Sequence, residues 1–341
     1  MVRARRLLLR RLVIVLLAGS ALVTGCGNSQ SPQDELQVSD TVTAAQPASS
    51  PVPGVAPEGT VLPLDGQVTA VTVVDSARTA VVALADPPAL RLYDLGQPTA
   101  EPRTVPLPGR VDQLSTDGAT VLAPVRTANA LLRVTLPAAT VQTTKLDGGP
   151  VAASERAGRT VVALAASKSV AVLDGDKLIH TVGGLASADQ ALLLNGGKAA
   201  VLDRLHTAVY DLDAGTGKLG AGLRAGDGAT NAVTDIYGRV LVTDTRAGEL
   251  LVFRPDTMIM LQRYPVPGAP YGIAYDEKRN LVWVTLTERN QVVGYDVAGG
   301  EPVERHRYAT VRQPNSVAVD PTSGAVLVAS AAGGGVQVIK S

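Results

Sequence analysis

Histidine and cysteine, the residues that most often bind metals or act in catalysis, are scarce in this chain. His180, His206 and His306 are its only histidines and Cys26 its only cysteine. No two histidines stand at metal-ligand spacing, and no further cysteine is available for a zinc site. The sequence contains no G-x-S-x-G nucleophile elbow and no H-E-x-x-H zinc motif. "GTGKLG" (215–220) formally matches G-x-G-x-x-G, but a dinucleotide fingerprint must open a helix. Here "LGAGLRAGDG" follows, with four glycines and no apolar helical face, so a hairpin turn is the better reading. "GTGKL" also lacks the Ser or Thr that a P-loop needs after Lys218. Isolated aspartates behind apolar runs, such as Asp75, Asp276 and Asp320, read as turn formers.

The lone cysteine has a context of its own. "MVRARRLLLRRLVIVLLAGSALVTGC" begins with five arginines and no acid. It continues with an uncharged apolar stretch from Leu12 to about Val23, shorter than the roughly 20 residues of a transmembrane helix. Val23-Thr24-Gly25-Cys26 resembles the lipobox of bacterial lipoproteins. That resemblance implies a signal peptide over 1–25, cleavage before Cys26 and diacylglycerol on its thiol, with acyl chains such as palmitate holding the protein on the extracytoplasmic side of the cell membrane. The paired arginines leave Sec and twin-arginine export both open. Residues 26–57 are rich in Ser, Gln, Pro and Ala without periodicity and read as a flexible tether of roughly 30 Å.

Composition narrows the partners. Aromatics are 3% of the chain, too few for base-stacking platforms. Formal charge is zero, but without the five arginines of the first 25 residues 26 basic side chains face 31 acidic ones. An acidic body of this kind does not seek nucleic-acid phosphates. The Arg, Ala, Val and Gly bias fits a GC-rich, actinobacterial-type source.

The elements that must position any site repeat. Val81, Val121, Val161, Ala200, Val240, Val282 and Val326 sit in seven short apolar runs spaced by 40, 40, 39, 40, 42 and 44 residues. A period near forty with several strands per unit predicts a β-propeller over 58–341. The sixth unit parses into "YGIAYD" (271–276), "LVWVTL" (281–286), "QVVGYDV" (291–297) and "RHRYATV" (305–311). The second strand is almost wholly apolar, as expected where both faces are covered. The fourth is the most polar, suiting an outer edge. "APYGIAYD" and "QPNSVAVD" are similar to the openings of NHL and YVTN propeller repeats, and "YDLDAGTGK" to a YVTN hairpin. The resemblance implies the fold and leaves function open, since such families include binding proteins, scaffolds and enzymes.

The last unit offers three strands before the chain stops, and "TVLPLDG" (60–66) resembles the fourth-strand sequence "TVPLPG" (104–109). The N-terminal strand is therefore expected to complete blade seven of an all-β, seven-bladed propeller with four-stranded blades. Repeat alignment then places Thr69, Asp112, Val151, Asp189, Asn231, Tyr271 and Asn315 at one mouth of the channel, with Asp86, Arg126, Asp203, Arg204, Asp244 and Glu288 ending second strands nearby. Asp112, Asp189, Asn231, Asp244, Tyr271 and Asn315 are the candidate ligand site. No catalytic residue or cofactor is assigned. The expected function is a membrane-anchored, non-catalytic binding or scaffold lipoprotein for a small ligand or a cell-envelope protein. Two alternatives carry chemistry. One is a lactonase-like hydrolase whose calcium or other divalent cation is held by Glu, Asp and Asn in the channel, with oxygens from Asp112, Asp189, Asn231, Asp244 and Asn315. The other is a quinone-dependent redox propeller, for which the chain is poor in histidine and aromatics.

Overall fold

Each apolar run forms a strand, and the period of forty becomes a ring. The computed structural model describes residues 43–340; Cys26 and the stretch expected to be a signal peptide lie outside them. Seven antiparallel sheets of four strands each are present, six of them built from strands consecutive in sequence. Blade one runs Val68–Val74, Thr79–Leu84, Ala89–Asp94 and Arg103–Pro106, from channel to rim. Blade six runs Pro270–Asp276, Leu281–Leu286, Gln291–Asp296 and Val303–Ala309. The inner strands touch one another around the full circle, the last (Pro314–Val319) meeting the first. Among the described residues no helix is long and apolar enough to cross a membrane.

Blade seven closes as the sequence predicts. Its strands are Pro314–Val319, Val326–Ser330, Val336–Ile339 and, on the outside, Thr60–Leu62. Thr60, Val61 and Leu62 pair antiparallel with Val338, Gln337 and Val336. A second tie lies across the same seam. Both guanidinium nitrogens of Arg78 reach the carboxylate of Asp320, at 2.5 and 2.8 Å. Burial pushes the Asp320 carboxyl up, but Arg78, Ser323 and the Thr322 amide outweigh it and hold the group below the usual carboxylate range.

The core is divided in the same way as the ring. Seven apolar clusters lie between neighbouring blades, for example Leu241, Val252, Val282 and Val293 between blades five and six, and Trp283, Val292, Val317 and Val328 between six and seven. Second strands such as Leu281–Leu286 are buried throughout because both faces meet a neighbour. Outer strands such as Thr140–Lys145 are mostly exposed, which leaves polar edges that resist pairing with other chains. "GTGKLG" is the expected hairpin turn. Asp213 accepts the Gly215 and Thr216 amides, and Gly217 has φ +69°, with the His180 ring where a Cβ would stand.

Candidate ligand site at the channel mouth

Repeat equivalence puts residues far apart in sequence side by side. Asp112, Asp189, Asn231, Tyr271 and Asn315 all line one cavity of about 450 Å³ at the channel, together with Thr69 and Val151. Local backbone geometry helps to aim them. The inner strands carry a β-bulge at Thr69, at Val151, at Tyr271–Gly272 and at Asn315. Each bulge takes one or two residues out of the ladder and turns them from the sheet. In blade five the bulged residue is Thr230, one before Asn231.

The mouth is less acidic than the sequence suggests. The Asp112 carboxylate accepts from Arg110 Nε at 2.6 Å. Asp189 accepts from Ser187 Oγ at 2.5 Å and from the Arg204 amide at 2.9 Å. Asn231 Nδ2 donates to the Tyr271 carbonyl at 3.1 Å, a bond between blades five and six. Asn315 Oδ1 accepts from Gln313 Nε2 at 2.9 Å. Arg110, Arg126 and Arg204 also line the cavity.

Asp244 is not part of the lining. It is fully buried, and its carboxylate accepts the amides of Asp227, Gly228, Arg246 and Ala247 at 2.7–3.1 Å. Asp203 plays the equivalent part in blade four, accepting the Ala186 and His206 amides. These aspartates, which end second strands, pin the connecting loops instead of facing a ligand. Asp276 and Asp320 likewise accept turn amides, as expected of turn formers.

The carboxylates of the mouth do not gather into a divalent-cation site of their own. Among the described residues no three His, Cys, Asp or Glu side chains gather as a ligand set. Asp112 and Asp189 are already engaged, and none of the three histidines lines the cavity.

One part of the mouth carried no signal in the sequence. The stretch read as tether is, from Thr43 to Pro51, held against the propeller by eight hydrogen bonds. Its Gln46 contributes to the cavity lining. The partners are mainly side chains of Arg204, Arg246, Thr287, Asn290, Arg312 and Gln313, on blades four to seven.

No protein-family model matches the chain, and no curated protein matches it in sequence. Solved structures match it in shape. A streptogramin B lyase superposes with a TM-score of 0.69 at 13% identity, over 83% of this chain and 96% of that one. Virginiamycin B lyase from Staphylococcus aureus gives 0.67 at 12%, over 82% and 97%. A chain of the mitotic checkpoint complex gives 0.70 at 11%, over 89% and 98%. At these identities the shared property is the seven-bladed propeller.

Proposed function

We propose that the protein is a lipid-anchored, extracytoplasmic, non-catalytic binding propeller whose channel mouth takes a small polar ligand bearing an anionic group. One observation carries this reading. The two acids of the mouth, Asp112 and Asp189, are engaged by Arg110, by Ser187 and by the Arg204 amide, whereas Arg126 lines the cavity with no hydrogen-bond or ion-pair partner for its guanidinium among the described residues. A guanidinium in that position offers forked donors to a carboxylate or phosphate. Catalysis would require an acid, base or nucleophile held ready at the ligand; the engagement of Asp112 and Asp189 by neighbouring donors supports the binding reading over that one.

A thermal-shift screen of small hydroxylated carboxylates and phosphates tests the site. Arg126→Ala is expected to leave the melting temperature unchanged, because the side chain is exposed, and to weaken any hit at least about tenfold, the loss of a charge-assisted hydrogen bond. A variant that binds as tightly as wild type would remove Arg126 from the site.

Anchoring rests on "LVTGC" and the lone cysteine, and on the marginal binding of a single acyl chain against the stable hold of two or more. Wild-type protein is expected to incorporate labelled fatty acid and to fractionate with membranes, and Cys26→Ala to do neither. Absence of label in the wild type would end the lipoprotein reading.

A further inference from the structure

The bonds that hold residues 43–51 have an unusual distribution. The amide of Ala48 donates to Thr287 Oγ1 at 3.1 Å, and its carbonyl accepts from Gln313 Nε2 at 2.9 Å. The amide of Ser50 donates to Gln313 Oε1 at 3.0 Å, so one glutamine amide reads a donor and an acceptor two residues apart. Asn290 Nδ2 donates to the Pro51 carbonyl at 2.9 Å, and Arg204 donates to that of Ala45. Seven of the eight bonds use main-chain atoms of the segment; the exception is Ser50 Oγ, which donates to the Thr287 carbonyl at 2.5 Å.

Selectivity enters at two positions. Ala45 is buried at 5% exposure and lies over Gly228, where a Cβ would come within 2.8 Å of its own. The loop carrying Gly228 is fixed by Asp244. A small side chain is thus required at Ala45, and a hydroxyl is read at Ser50. Gln46 and Ser50 each precede a proline, which steers them to extended backbone before docking.

We infer that the rim of blades four to seven is a peptide-binding groove that reads the main chain of an extended Ala/Ser/Pro segment. Residues 43–51 are its occupant in cis, and an equivalent segment of a partner polypeptide takes their place. The groove borders the Arg126 cavity, with Gln46 and Arg204 at their common edge, and the inference holds whether or not that cavity takes a ligand. Displacement is feasible because the entropy cost of ordering nine residues offsets most of what eight exchanged hydrogen bonds and the burial of Ala45 return, leaving only a small surplus. The same linkage keeps the resting groove closed, since a tethered segment acts at an effective concentration of about millimolar. A partner must exceed that or arrive in many copies.

The experiment uses the full chain in detergent and a fluorescein-labelled peptide, TAAQPASSP, followed by polarisation. Ala45→Trp cannot seat over Gly228 and ejects residues 43–51, the strap. This variant is expected to bind the peptide at least about tenfold more tightly than wild type, the release of a millimolar internal competitor. Adding Gln313→Ala should abolish that gain, and a peptide with Trp at the second Ala should bind neither chain. Absence of saturable binding by an Ala45→Trp chain that melts like wild type would overturn the inference, as would binding indifferent to Gln313→Ala. If the variant does not fold, hydrogen exchange on the wild type decides. Ala48 and Ser50 amides should exchange by local opening, faster than inner-strand amides. Exchange only through global unfolding would make the strap a permanent part of the fold and overturn the inference equally.

Discussion

Replacing Trp283 with alanine is expected to destabilise the protein by about 3–5 kcal/mol. The indole is fully buried between blades six and seven, in a cluster with Val292, Val317 and Val328. His306 stacks on it at 5.4 Å and Tyr308 at 6.1 Å, with ring planes within 23° and 18°. Opposite stands Gly294, its register partner, where an added Cβ would come within 2.9 Å of the ring. The strand is thus shaped around this one side chain, and its removal leaves a cavity that the flanking sheets cannot close. A control separates packing from polarity. Trp283 Nε1 is buried without a partner among the described residues, so Trp283→Phe discards an unsatisfied donor while keeping most of the apolar area. It should cost less than about 1.5 kcal/mol. Denaturant titrations of both variants check this, and equal losses would contradict the packing argument.

Loss of the N-terminal strand should be comparably severe. A chain beginning at Gln67 is expected to be less stable than one beginning at Pro57 by at least about 3 kcal/mol, from the burial of Leu62 and the lost hydrogen bonds. Both lack the strap, so the comparison isolates residues 57–66. Leu62 is 5% exposed and packs with Val68, Leu327 and Val336 at the junction of blades seven and one. Glu58 ties the same segment to two blades, donating its amide to the Ala309 carbonyl of blade six at 3.1 Å and accepting Gln337 Nε2 of blade seven at its carbonyl at 2.6 Å. Without these contacts Val336–Ile339 becomes an apolar edge that invites pairing between molecules. Thermal melts with light scattering test both parts. Equal melting temperatures would leave the strand without a closing role.

The blades were legible because their signal is local and repeated. "LVWVTL" forms the strand Leu281–Leu286 because six consecutive buried positions demand apolar residues. Closure was legible because a fourth-strand sequence stood before the first repeat. The channel residues followed from symmetry alone: equivalent positions in successive blades face one axis. Asp244 shows where that logic fails. It ends its second strand like Asp203, near the positions from which Arg204 and Arg126 reach the cavity, but its short side chain turns back to cap the 227–228 loop. Sequence equivalence fixes a residue's height in the ring and leaves its rotamer open. The strap was illegible for a different reason. "TAAQPASSP" has the composition of a linker, and its order comes from Thr287, Asn290 and Gln313, some 240 to 270 positions later, reading atoms that every residue possesses.

The pairing of Thr60–Leu62 with Val336–Ile339 also orders events in time. A ribosome delivers this chain from its N-terminus, so the strand that seals the ring emerges before any blade and waits for almost the last one. Six blades can complete from neighbouring strands as they appear. The seventh must join segments that are nearly the whole chain apart, the slowest kind of contact to form. That final event finishes a blade, buries the junction between seven and one, and brings Arg78 to Asp320 together. Open solenoids have end repeats from which they can fray. This ring has none, so fraying from an end repeat is closed to it, and unfolding that begins at the termini must first break the seam of blade seven.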